Sequence, residues 1–299
     1  MKFAGVGVVA GVLSDDPRQA AQRAQAGKFG GLQFDLKMGQ LDLTELSETG
    51  RREFRRMLAD SAQKLIALRA DAGADGLTVG ADVDRVLWRF QKSLAAAAAL
   101  TAPMVCLDLG RLPAPASIVD KRPPITPEQA GIIILPKAIQ MQTSPAATAP
   151  PDAKFVAQVD EVLAMLGAWA DQYGVTVAMR SSLSPFSALK RALDRAACPW
   201  LAVDFDPVDA LQDGRDLDAI FSDLGGAIRH VRGRDAMVGD RQRVRPAQIG
   251  RGAVGWPSIT ARLEEAGFNG WITVDSLELP QRQSAALNGA KYLAPILTA

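Results

Sequence analysis

Short apolar runs alternate along this chain with longer stretches of helical spacing, and the alternation begins at once. KFAGVGVVAGVL reads as a buried strand, and Ser14-Asp15-Asp16-Pro17 after it as a helix start. Helical periodicity over residues 17–27 gives way at Gly30-Gly31 to LQFDL, a second strand. An amphipathic helix over 51–64 feeds the strand LIALRAD. A long helix with a strongly apolar face over 83–100 precedes MVCLDLG. Further on, the spacing predicts helices over 155–173, 186–197 and 217–224, with strands VTVAMRS and WLAVDFDP between them. Residues 227–278 repeat the unit, as strand AIRHVRG, helix WPSITARLEEAGF ending at Gly267, and strand GWITVDS. A last helix over 281–297 follows.

Strands and helices that alternate through short connections pair in parallel under a helical layer. The count reaches eight strands, which predicts an α/β fold, a closed (β/α)8 barrel spanning 1–299 as one domain. An open doubly wound sheet fits less well, because no G-x-G-x-x-G turn follows any strand. The alternation is interrupted once. Residues 111–152 turn rich in Pro, Ala and Thr around one apolar run, GIIILP. We read this stretch as an excursion from the barrel mouth after the fourth strand.

Side chains two apart on a strand share a face. Val175, Val177 and Met179, then Leu201, Val203 and Phe205, then Ile272 and Val274 form the apolar faces that suit the helices. The other phase carries Asp35, Arg69 with Asp71, Cys106 with Asp108, Arg180, Asp204 with Asp206, and Trp271 with Thr273 and Asp275. His230, Arg232 and Arg234 share one face of the seventh strand. Charges of both signs therefore meet near the C-terminal strand ends, where barrel enzymes hold their sites. The loop beyond the seventh strand adds Arg241, Arg243, Arg245 and Arg251.

Composition alters this picture little. A net charge of +1 on 299 residues gives no general attraction to nucleic acid or an anionic membrane, so an anion site has to be local. Cys106 and Cys198 lie in apolar contexts without metal-ligand spacing, which fits free thiols in a reducing, cytoplasmic setting. No apolar run approaches the roughly 20 residues of a membrane span.

The segments Val231-Arg232-Gly233-Arg234-Asp235, Gly250-Arg251-Gly252, Trp256-Pro257, Gly267-Phe268-Asn269-Gly270 and Thr273-Val274-Asp275 carry a resemblance. They resemble the last two units of the sugar phosphate isomerase/epimerase family, the xylose isomerase-like TIM barrels related to the type IV apurinic endonucleases. The resemblance implies one divalent cation held by Glu, Asp, His and Glu at the ends of strands five to eight. Those positions hold Arg180, Asp206, Arg232 and Asp275 here, and the His of a nearby Asp-Pro-x-His pattern falls on Asp209. Guanidinium groups have no lone pair to offer a metal, so the expectation is a site with no metal and no other cofactor.

The resemblance then implies proton transfer by Asp206, Asp275 or the only histidine, His230. Arg180, Arg232, Arg234, Arg69, Asp35 and Asp108 would bind a small anionic sugar or sugar acid. Cys106 is a weaker candidate nucleophile, with no base beside it. A non-catalytic barrel of the same descent, binding an anionic sugar or serving as a scaffold, is the alternative, and assembly into a homo-oligomer is compatible with either. Apurinic-site DNA cleavage is disfavoured, since it needs several histidine ligands.

Overall fold

The computed structural model describes residues 3–71, 76–113, 152–239 and 244–298. Eight parallel strands close into a barrel: β1 (Gly5–Val9), β2 (Gly31–Asp35), β3 (Lys64–Asp71), β4 (Met104–Asp108), β5 (Thr176–Arg180), β6 (Leu201–Phe205), β7 (Ile228–Gly233) and β8 (Trp271–Val274). Each pairs with its sequence neighbours, and β8 closes onto β1. Outside lie α1 (Pro17–Ala26), α2 (Glu48–Asp60), α3 (Val83–Leu100), α4 (Ala153–Tyr173), α5 (Phe186–Ala196), α6 (Leu217–Leu224), α7 (Trp256–Glu265) and α8 (Arg282–Ile296). The (β/α)8 expectation therefore holds. The excursion expected over 111–152 falls mostly on residues outside those described, as do Arg241, Arg243 and the side chain of Asp71.

Local chemistry sets the helix ends. The Asp16 carboxylate accepts the Gln19 N–H at 2.8 Å with Pro17 in the first turn of α1, and Asp82 caps α3 by accepting from Arg85. Helix α2 starts three residues before the expected position, because Ser47 accepts the Gly50 N–H, and it stops at Asp60. Gly174 ends α4 in the left-handed conformation. Two short helices, Ala10–Leu13 and Pro207–Asp213, and two antiparallel pairs lie in loops that periodicity did not assign. One pair joins Lys37–Met38 to Leu41–Asp42, and the other joins Asp235–Val238 to Val244–Ala247.

The predicted strand phases divide the interior in two. Val177, Met179, Val203, Phe205, Ile272 and Val274 enter the large core beneath the helices. Ile66, Ala67, Cys106 and Ala178, with Met104 and Trp271, form a smaller apolar cluster among themselves. Gly7 belongs to this packing, since a Cβ there would lie 2.2 Å from Ile66 Cδ1. Apolar filling low in the barrel leaves the charged positions toward its C-terminal mouth.

Candidate functional site

Parallel register sets the inward residues of adjacent strands side by side. It aligns Asp35 with Arg69, Asp108 with Arg180, Asp204 with His230, and Arg232 with Thr273. Each alignment becomes an ion pair or lies within a hydrogen-bonded chain. Arg69 donates Nε and Nη2 to Asp35 and Nη1 to Asp275, the last at 2.9 Å. Arg180 clasps Asp209 through Nε at 2.6 Å and Nη2 at 2.7 Å, and reaches Asp108 through Nη1 at 3.2 Å. Its Nη2 also lies 3.2 Å from Asp206. Arg234 donates to Asp206 at 2.6 Å and to Glu278 at 2.7 Å.

Arg232 sits deeper. Its Nε and Nη2 both lie 2.7 Å from one oxygen of Asp204. The other oxygen of Asp204 is 2.7 Å from His230 Nδ1, and His230 Nε2 is 2.9 Å from the Thr273 hydroxyl. Asp204, His230 and Thr273 are all buried. Asp206 is buried too and caps the short helix after β6, accepting the Val208 N–H at 2.9 Å.

Burial disfavours every one of these charges, so the partners decide the protonation states. For Asp204 the cost of burial is outweighed by Arg232 and then by His230, which hold its carboxyl well below the usual carboxylate range. Burial likewise works against the charge on Arg232, but Asp204 and Asp206 more than offset it and raise its pKa. Asp209 shifts the opposite way. Burial and the neighbouring Asp206 charge push it up to about 6, against the pull of Arg180. Cys106 is raised well above its ordinary value, first by burial and then by Asp204, so it stays a thiol.

Two cavities flank this network. The larger, 710 Å³, has Asp35, Arg69, Asp108 and Arg232 along it, with Trp88 and Lys92 of α3 at its side. The smaller, 270 Å³, is lined by Arg180, Asp209, Gln212 and the loop 181–186. Asp206, Asp275 and His230 line neither.

The residues at the metal positions implied by the resemblance do not fit a divalent cation. Two are guanidinium groups, and the carboxylates that remain are held by cations already, Asp206 by Arg180 and Arg234, and Asp275 by Arg69. Cys106, Asp204 and His230 bring donor atoms within 4.8 Å of one another. That trio fits no better, because its thiol is protonated and its carboxylate is bound to Arg232.

All nine residues singled out from the sequence thus fall into three ion-paired groups at the C-terminal end of the barrel, Asp35 and Asp275 around Arg69, Asp108 and Asp206 with Arg180 and Arg234, and His230 and Arg232 around Asp204. Asp204 and Thr273 were placed on the inward face without a role, and Asp209 carried only a mapping. Glu278 was missed, since it lies past β8 in a turn where no periodicity operates. No described helix is long and apolar enough to cross a membrane.

A family model described as the xylose isomerase-like TIM barrel matches residues 21–296. No curated protein matches the sequence. Among solved structures, a xylose isomerase domain protein from Planctomyces limnophilus superposes with a TM-score of 0.70 at 14% identity, covering 99% of this chain and 96% of its own. D-allulose 3-epimerase from Methylomonas sp. gives 0.66 at 14%, covering 98% and 97%. The 3-keto-D-glucoside 4-epimerase of E. coli gives 0.66 at 13%, covering 96% and 98%. At these identities the likeness establishes the fold.

Proposed function

Because the chain belongs to the xylose isomerase-like TIM-barrel family, we propose that it is an isomerase/epimerase-like protein for a small carbohydrate that works without the divalent cation. The observation that carries this reading is the set of ion pairs itself, in which guanidinium groups occupy the carboxylates at the mouth. In this reading the carbonyl oxygen of an open-chain sugar rests against Arg232. A carboxylate removes the proton from the adjacent carbon, and the electron pair moves onto the oxygen as an enediolate that the guanidinium stabilises. Return of the proton to the other face of the same carbon completes epimerisation; its return to the other carbon, with the neighbouring hydroxyl proton passing to the first oxygen so that the carbonyl re-forms there, completes isomerisation.

Asp209 is the acid/base group in this proposal, and since it lines the smaller cavity and Arg232 the larger, the reading requires a substrate that reaches both. A carboxyl held at about 6 both accepts and returns a proton near neutral pH. Asp206 and Asp275, expected in that role from the sequence, line neither cavity and are held by arginines and backbone N–H groups, whereas Asp209 lines the 270 Å³ cavity. His230 has both ring nitrogens engaged.

The anionic class of ligand expected from the arginines narrows as well. Arg69, Arg180 and Arg234 are committed to carboxylates, so the site suits one carboxylate or enediolate oxygen and not a phosphate dianion, which draws on several donors. A thermal-shift comparison of D-fructose, D-gluconate and D-fructose 6-phosphate tests this. Stabilisation by either of the first two, absent with the phosphate and lost in Arg232→Ala, is expected, worth about 2.7 kcal/mol at a hundred times the dissociation constant. Preference for the phosphate would refute the ligand class, and indifference to all three would favour the non-catalytic scaffold.

A further inference from the structure

The four guanidinium groups at the mouth are not equivalent. Arg69 and Arg180 each donate through Nε and both terminal nitrogens, and Arg234 through both terminal nitrogens. Arg232 directs Nε and Nη2 at a single oxygen of Asp204, and its guanidinium makes no other hydrogen bond among the described residues. It also lines the 710 Å³ cavity. Its Nη1 edge is therefore the guanidinium donor left for a molecule in that cavity.

What holds this edge in place is a buried chain running from β8 through β7 to β6. Asp204 can clasp Arg232 with one oxygen only while the other is satisfied, because an unpaired carboxylate oxygen at this depth is costly. His230 Nδ1 satisfies it at 2.7 Å. That bond requires the proton on Nδ1; on a neutral ring Nε2 is then an acceptor, and the Thr273 hydroxyl at 2.9 Å is positioned to donate to it. Asp204 thereby sets the tautomer, Thr273 holds the far side of the ring, the ring so fixed orients Asp204, and Asp204 orients Arg232.

We propose that Thr273, His230 and Asp204 are positioning residues that fix the Arg232 guanidinium and present its Nη1 edge to the sugar oxygen. The proposal rests on the carbohydrate reading above for the identity of that oxygen, and on the chain alone for the positioning. It gives the only histidine of the sequence a task other than proton transfer.

Arginine side-chain 1H–15N NMR tests both parts separately. In the wild type, Arg232, assigned through its loss in Arg232→Lys, is expected to give separate Nη signals slowed by restricted rotation about the Cζ–Nη bonds. In Thr273→Val those signals coalesce while the Arg69 and Arg180 signals stay in place, and Thr273→Ser restores them. Should Thr273→Val not fold, His230→Asn serves the same purpose. Unchanged Arg232 signals in either folded variant would overturn the positioning chain, and so would equal changes at Arg69 and Arg180, which would mark a general structural role. Titration of the wild type with D-fructose and D-gluconate should shift the Arg232 Nη signals first. Shifts at Arg69 or Arg180 in their place would overturn the single free edge. No shift with either sugar, alongside an intact response to Thr273→Val, would sink the carbohydrate reading and leave the positioning chain standing.

Discussion

Asp206 and Asp209 share one nitrogen of Arg180, yet their surroundings differ. Asp206 has a second guanidinium in Arg234 and a backbone N–H, whereas Asp209 has Arg180 alone and the Asp206 charge close by. Asp108, on the same Arg180 fork, and Arg234 also act on this corner of the network. The sign of the consequence is fixed. A carboxyl raised from 3.8 to about 6 binds its proton more tightly in the folded state, so its stabilising contribution is complete below 3.8 and is lost as pH rises through about 6. Urea unfolding across that window should show Asp209→Asn gaining on the wild type by up to about 3 kcal/mol as pH rises. A constant difference between the two proteins would contradict the assignment. Asp204 has the opposite sign, its depressed pKa giving stability that is lost as pH falls below its ordinary 3.8. At this scale the sequence was partly legible. Alternation brought Asp204, His230, Arg232 and Thr273 to one face, but the pairing of Asp204 with His230 depends on a register shift between Val203 and Asp204. No spacing rule announces such an irregularity.

Among the elements, the loop that leaves β7 depends on one side chain. The buried Asp235 carboxylate accepts the backbone N–H groups of Ala236, Gly250, Gly252 and Val254, at 2.8, 2.9, 3.2 and 3.0 Å. It ties the start of the antiparallel pair to the turn that precedes α7. A Cβ on residue 252 would lie 2.1 Å from Asp235 Oδ1 and 2.6 Å from the Ala236 carbonyl oxygen, which is why glycine stands there. Asp235→Ala should cost about 3 kcal/mol or more, since hydrogen bonds to a charged group are worth roughly 1.5–3 kcal/mol each, and Gly252→Ala should also destabilise. Urea midpoints within experimental error of the wild type for both variants would contradict this account. The strands and long helices were legible because their apolar period persists over many residues. The antiparallel pair was not, because its four-residue strands hold exposed Met237 and Val238 opposite Arg245 and Val244, with no consistent buried face to set a period.

Across the whole molecule, charge gathers where the fold places it. The four mouth arginines face seven carboxylates, on Asp35, Asp108, Asp204, Asp206, Asp209, Asp275 and Glu278. The chain as a whole carries only +1. An acidic excess of this kind would ordinarily attract a cation. Here fixed guanidinium groups are interleaved with the carboxylates, and a divalent ion would have to displace Arg180 and Arg234 from Asp206 against their own repulsion. The central claim is that side-chain cations take the place of the metal, and elemental analysis of the purified protein after exposure to Mn²⁺ and Mg²⁺ tests it most directly. We expect no stoichiometric divalent ion and no change in content on Asp206→Asn. About one tightly held ion per chain, lost in Asp206→Asn, would contradict the claim.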